Sequence, residues 1–238
     1  MAYDKYWLHI FLEQLRIYLS THLRAIARAL LPPLIASPLK RIFSPAQVEE
    51  KEELLFDGDN EMFLECVGNA KNYAEFGCGL SSKWVAKETD ANMICVDTSS
   101  EWIERTEKDV PLGRAKFIHV DCGVLGAWGK PVDFSRRNSF IDYPNAIWDR
   151  PPLEPYDVIL IDGRFRVVCF LTCLIKAKPG TVVIFDDYIN RPQYHIVEEF
   201  VRLSERCGRQ AKFIVPDQKE IDPIEIQALI EKFEYVMD

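Results

Sequence analysis

An α/β fold with a mostly parallel, doubly wound sheet is predicted for this 238-residue chain from three observations. Strand-like and helical stretches alternate from residue 58 onward, the pattern of successive βαβ units. Two glycines, Gly77 and Gly79, stand between the first strand and the next helix, where an open parallel sheet meets its ligands. The length suits one such domain with an appendage. A hydrophobic share of 48% beside 28% charged residues provides enough apolar side chain for a packed core.

The appendage comes first. From Tyr6 to Leu31 apolar residues are interrupted by Glu13, Arg16, Arg24 and Arg28 at spacings that gather them along one side of a helix. Residues 1–31 are therefore predicted as an amphipathic helical extension. Residues 1–44 hold six Lys/Arg against Asp4 and Glu13, so their balance of +4 leaves −12 of the net −8 for the rest. A basic helix with Trp and Tyr anchors suits a membrane surface, or packing on the body or on a second subunit in a homodimer. No uncharged run reaches the roughly 18–20 residues that span a bilayer, and no cleavage site follows a short apolar core. A cytoplasmic protein, at most peripherally membrane-associated, is expected. Pro32 and Pro33 end the helix and Pro38 and Pro45 keep the chain irregular, which makes 32–57 a linker.

The body is expected over 58–238. A helix at Glu61–Asn69 precedes strands at Tyr73–Phe76, Asn92–Val96, Ala115–Val120, Asp157–Ile161, Thr181–Phe185 and Lys212–Val215. Helices are read at Ser82–Glu88, Glu101–Lys108, Val167–Lys176, Tyr194–Arg206 and Pro223–Lys232, with Phe233–Val236 as a last strand. The long stretch 122–155 lacks periodicity but carries Trp128, Tyr143 and Trp148; it is too aromatic for disorder and is expected to build the substrate side of a cleft.

The acidic balance disfavours nucleic acid as partner, since a duplex calls for a basic face; a small molecule or saccharide fits better. Seven cysteines without a C-x-x-C pair read as buried thiols rather than a disulfide framework or zinc site.

In Glu75-Phe76-Gly77-Cys78-Gly79-Leu80-Ser81-Ser82 an acid precedes the first glycine and Ser82 stands where a dinucleotide fingerprint has its third. Both departures point away from a nicotinamide cofactor. Asp97 ends the second strand, and a carboxylate there can accept both hydrogen bonds of a vicinal diol. This segment resembles motif I of class I S-adenosylmethionine-dependent methyltransferases. The likeness extends through Asp121-Cys122-Gly123, Trp128-Gly129-Lys130-Pro131, Tyr143-Pro144, Ile161-Asp162-Gly163-Arg164-Phe165-Arg166 and Phe185-Asp186-Asp187-Tyr188 to a group of bacterial methyltransferase-like proteins. It implies the Rossmann-like class I methyltransferase fold, with Glu75, Gly77, Cys78, Gly79 and Ser81 at the methionine end of S-adenosylmethionine, Asp97 at its ribose and Asp121 at its adenine. Trp102 is either a wall of that pocket or core.

For the reaction, Asp162 and the pair Asp186-Asp187 are predicted at the ends of the fourth and fifth strands, one edge of the sheet. In metal-dependent members of the superfamily acids here hold a divalent cation, so the resemblance implies Asp162, Asp186 and Asp187 as a Mg²⁺ site. Arg164 and Arg166 beside them would compete with a metal, by pairing with these acids or gripping an acidic substrate. Asp162, Arg164, Asp187 and His195 are the candidate catalytic groups, His195 as a general base. Two readings follow: O-methylation of a small molecule or saccharide, or a catalytically silent cofactor-binding scaffold attached through 1–31.

Overall fold

The computed structural model describes residues 55–56, 59–149 and 151–238. The helix expected at 1–31 and the linker at 32–57, apart from Leu55 and Phe56, lie outside the described residues. The sheet is formed by β1 (Asn72–Phe76), β2 (Asn92–Asp97), β3 (Ala115–His119), β4 (Val158–Ile161), β5 (Val182–Phe185), β6 (Glu205–Cys207) and β7 (Gln210–Ile214), the central ones short runs rich in apolar residues. Their order is β3-β2-β1-β4-β5-β7-β6. Neighbours from β3 through β5 are parallel, while β7 runs antiparallel to both β5 and β6. The chain builds outward one way from β1 through β3 and the other way from β4, so the order switches between β1 and β4. A crevice opens at the carboxyl ends of strands at such a point.

The helices are α1 (Glu61–Val67), α2 (Leu80–Glu88), α3 (Ser100–Glu107), α4 (Asp142–Asp149), α5 (Arg166–Lys176) and α6 (Pro223–Phe233). Because side chains alternate across a strand, Ala74 and Phe76 of β1 join one core with Phe140, Tyr143, Phe170 and Ile226. Tyr73 joins the other with Phe63, Val85 and Ile103. Both faces of the sheet are thus covered, as a parallel sheet requires.

Three expectations are corrected. The helix predicted for Tyr194–Arg206 is a 3₁₀ segment over Pro192–Glu199 followed by strand β6. Its buried residues Tyr194 and Val197 stand three apart, the repeat of a 3₁₀ turn. The two-residue turn Gly208-Arg209 then joins β6 to β7, with Gly208 at φ 55. The strand predicted for Phe233–Val236 is absent among the described residues, since α6 continues to Phe233 and a turn closes it through Val236 N–H to the Phe233 carbonyl at 2.8 Å. The stretch 122–155 contains α4, hidden in the sequence by Pro144, which falls in the first helical turn where a missing N–H costs nothing. No described helix is long and apolar enough to cross a membrane.

Candidate functional site

The glycine turn after β1 is held from beneath. Glu75 is fully buried on the β1 face toward α2, where its Oε2 accepts from Tyr73 Oη at 2.7 Å and Ser81 Oγ at 2.9 Å and its Oε1 from Ser82 Oγ. Ser82 Oγ in turn accepts the Gly79 N–H at 2.9 Å. Burial pushes the Glu75 carboxyl above its usual range, against the three hydroxyl donors that favour its charge. The acid expected to touch a cofactor is therefore a rivet joining β1 to the start of α2, and it does not line the cleft. Gly77, at φ 89, lies against the turn after β4: a Cβ at Gly77 would stand 2.6 Å from Gly163 Cα. A Cβ on Gly163 would meet Gly77 N at 2.7 Å, Phe76 C at 2.8 Å and the Tyr143 hydroxyl. Gly163→Ala is accordingly expected to lower stability by about 1–3 kcal/mol, read from urea unfolding, as overpacking against immovable backbone does.

Asp97 closes β2 at the mouth of the crevice. Its Oδ2 accepts the Cys78 N–H at 3.1 Å and its Oδ1 the Ser99 N–H at 2.8 Å. Burial raises its pKa, while those two N–H groups, the Cys78 thiol and the nearby Arg164 act in the other direction. Trp102 on α3 donates its indole N–H to the Cys78 carbonyl and is 42% exposed, which makes it a wall rather than core. The loop after β3 folds over this end. Thr98 Oγ1 donates to the Gly129 carbonyl at 2.6 Å, and Trp128, at φ 60, stands 84% exposed at the rim. This loop lines the cleft beside Asp97 with Gly126, Trp128 and Gly129, and Tyr143 lines it beside Gly163. Asp121 points elsewhere: exposed, it pairs with Arg136 at 3.3 Å and caps the Gly123 N–H.

The other half of the cleft is ionic. One carboxylate oxygen each of Asp162, Asp186 and Asp187 converge within 4.8 Å. Arg166, almost fully buried at the start of α5, reaches all three residues: its Nη2 lies 3.1 Å from Asp162 Oδ1, and its Nη1 2.8 Å from the Asp186 carbonyl and 3.4 Å from Asp187 Oδ2. Arg191 Nη2 lies 2.6 Å from Asp187 Oδ2. Arg209, at the tip of the β6–β7 turn, pairs with Asp186 Oδ2 at 2.8 Å and Asp187 Oδ1 at 3.3 Å, and Gln210 donates to Asp186 Oδ1 at 3.1 Å. Burial works against the charge of Arg166, yet the surrounding acids hold it above its usual pKa. Burial and the neighbouring Asp186 push the Asp162 carboxyl well above its ordinary range.

The donor set does not fit Mg²⁺. The three acids converge as a metal site requires, but every one already faces a guanidinium, and a dication would have to displace Arg166 from its buried place among three Asp residues. The Mg²⁺ expectation is replaced by an ion-pair network of three arginines and three aspartates.

Both halves line one cleft of about 690 Å³ that runs from Trp102 and Trp128, past Gly77–Gly79 and Asp97, to Asp162, Arg164, Asp187, Arg191 and Arg209. Of the residues singled out in the sequence, Gly77, Cys78, Gly79, Ser81, Asp97, Asp162, Arg164 and Asp187 line it; Glu75, Asp121, Asp186 and His195 do not. His195 lies with its ring against Tyr188, centroids 4.8 Å apart, and its Nε2 3.1 Å from the Tyr188 carbonyl, so it is not placed as a base for a group in the cleft. Arg191 and Arg209 went unread. Arg191 stands four residues after Asp187, a spacing that could have marked it; Arg209 comes from a hairpin that no local signal announced.

A seven-stranded sheet in this order, with a glycine turn after β1 and an acid at the end of β2, defines a class I methyltransferase-type protein. No protein-family model matches the chain, and no curated protein matches it. Among solved structures it is similar to a methyltransferase-like protein from Silicibacter pomeroyi, 30% identical over 76% of this chain and 97% of that one, with a TM-score of 0.68. A methyltransferase from Geobacter sulfurreducens is 11% identical over 82% of this chain and 97% of its own, at a TM-score of 0.46. An RNA methyltransferase from Salinibacter ruber, in complex with S-adenosyl-L-homocysteine, is 13% identical over 66% of this chain and 90% of its own, at a TM-score of 0.40. On the first of these likenesses, the chain belongs to the methyltransferase-like proteins of the class I S-adenosylmethionine-dependent superfamily.

Proposed function

We propose that this protein is an S-adenosylmethionine-dependent methyltransferase that acts on a hydroxyl of a small molecule or saccharide. The observation that carries the reading is the placement of Asp97 beside the Gly77–Gly79 turn in the same cleft as the Asp162 end of β4. The residues present fit the cofactor. A carboxylate offers about four lone-pair sites; Asp97 accepts the Cys78 N–H and, at 3.7 Å, the Cys78 thiol on Oδ2, and the Ser99 N–H on Oδ1. The thiol is a weak donor that a hydroxyl can displace, so the carboxylate suits the two ribose hydroxyls. The Gly77–Gly79 backbone would receive the methionine end, with Trp102 and Trp128 toward the base. When bound, S-adenosylmethionine supplies a methyl group on a sulfonium, open to in-line displacement.

The chain then has to position an acceptor and take its proton. Asp162 lines the cleft and Arg166 fixes its carboxylate, so it is the base in this reading. Because Asp162 must be ionised to accept a proton and its pKa is raised, the rate is expected to climb with pH beyond the ordinary carboxylate range. Added chelator is expected to leave it unchanged.

The deciding experiment is calorimetric titration of the full chain with S-adenosylhomocysteine and, separately, with NAD. Binding of S-adenosylhomocysteine alone is expected; binding of NAD alone would sink the reading.

A further inference from the structure

Four arginines line the cleft. Arg166, Arg191 and Arg209 are each in ion pairs with the aspartates at the ends of β4 and β5. The side chain of Arg164 makes no hydrogen bond or ion pair among the described residues, although it is half-buried. Asp97 and Asp238 attract its charge without forming an ion pair, and a guanidinium left without a direct partner is shaped to take a carboxylate or phosphate through two parallel N–H groups.

Where Arg164 stands suggests which anion it awaits. The residue follows Asp162-Gly163 after β4, and its N–H meets the Tyr143 hydroxyl at 3.5 Å. Burial and then Arg166 lower its pKa, while Tyr143, Asp238 and Tyr194 act the other way. Arg166 opens α5 and Tyr194 lies in the segment after β5, while Asp97, whose charge Arg164 favours, ends β2, so its electrostatic neighbours lie on both sides of the glycine turn. Next to it, Phe165 is held at φ 53, a left-handed conformation that an ordinary residue keeps only when its surroundings impose it.

We propose that the methyl acceptor carries an anionic group, a carboxylate or a phosphate, and that Arg164 receives it on the β4 side of the cleft. This inference rests on the methyltransferase reading above. It makes the cleft selective: a neutral acceptor leaves the Arg164 fork without a bidentate partner, whereas an anionic one fills it and aligns its hydroxyl toward Asp162.

The test uses inorganic phosphate as the probe. The full chain is saturated with S-adenosylhomocysteine and titrated calorimetrically with phosphate, as wild type, Arg164→Met and Arg164→Lys. Saturable 1:1 uptake is expected in the wild type, at least tenfold weaker in Arg164→Met and intermediate in Arg164→Lys, which keeps the charge but loses the fork. Affinity for S-adenosylhomocysteine is expected to stay within twofold across the three. No saturable uptake by the loaded wild type, or equal uptake by Arg164→Met, overturns the proposal. So does a variant that loses S-adenosylhomocysteine while keeping phosphate, since Arg164 then serves the carboxylate of the cofactor. Should Arg164→Met not fold, Arg164→Gln is read by the same criteria. A wild type that binds no S-adenosylhomocysteine defeats the methyltransferase reading itself, and that failure is seen before any phosphate is added.

Discussion

Asp97→Ala is expected to weaken S-adenosylhomocysteine binding by about 100-fold, with little loss of stability. Hydrogen bonds to a charged group contribute about 1.5–3 kcal/mol each, and about 2.8 kcal/mol corresponds to that factor. A diol held at both hydroxyls thus accounts for it even after some loss is recovered by water. The fold should tolerate the change, because the two N–H groups that Asp97 accepts from, on Cys78 and Ser99, border an open cleft where solvent can replace the carboxylate. Asp97→Asn keeps the shape and one acceptor oxygen and should fall between. Calorimetry on the three proteins decides it, and an Asp97→Ala affinity within threefold of wild type removes Asp97 from the cofactor site.

Glu75→Ala is expected to do the reverse, lowering stability by about 4 kcal/mol. Three hydroxyls, on Tyr73, Ser81 and Ser82, converge on this carboxylate where no solvent reaches. Each donor left unsatisfied in such a place costs about 1–3 kcal/mol, and the truncated side chain leaves a cavity besides. Against a total stability of about 5–15 kcal/mol for a domain, the variant should be close to unfolding at growth temperature. Urea titration followed by circular dichroism measures it. Glu75→Gln fills the space and retains one acceptor, so a smaller loss is expected there. A loss below about 1 kcal/mol in Glu75→Ala would show that the hydroxyls find other partners and that the rivet is dispensable.

These two acids show how far the sequence could be read. Both were picked out by position relative to glycines and strand ends. Their settings differ by depth along the sheet: the register pairs Glu75 with Cys95, two residues short of Asp97, so both face the same side, but Glu75 lies within its strand under α2 while Asp97 ends β2 at the cleft. Glu75 turns toward α2 and Asp97 opens on the cleft, a distinction that spacing alone does not carry. Strands β1, β2, β4 and β5 were legible as short runs rich in apolar residues, which a parallel sheet buries on both faces, and the half-buried edge strand β3 from Phe117 and Ile118. Strand β6 was not: its residues Glu205, Arg206 and Cys207 are exposed or half-buried at the sheet edge, so they carry no hydrophobic pattern to betray it. The ionic network suffered most. Asp162, Asp186 and Asp187 could be gathered from the strand ends, but Arg209 reaches them from a turn beyond two further elements, and without it the three acids looked like ligands for a metal.

The reversed direction of β7 has a consequence for how this cleft can change. In an all-parallel sheet only strand ends and the loops that follow them reach the carboxyl edge. Here β7 enters that edge at its beginning, with Ala211 beside Phe185, so the hairpin tip carrying Arg209 arrives there from the opposite direction. The tip is attached at the margin of the sheet, four strands away from β2, which carries Asp97. Lengthening or recharging it is expected to alter the Asp186–Asp187 end of the cleft while leaving the glycine turn and its rivet untouched. The half of the cleft that depends on this hairpin can therefore change separately from the half built on β1 and β2.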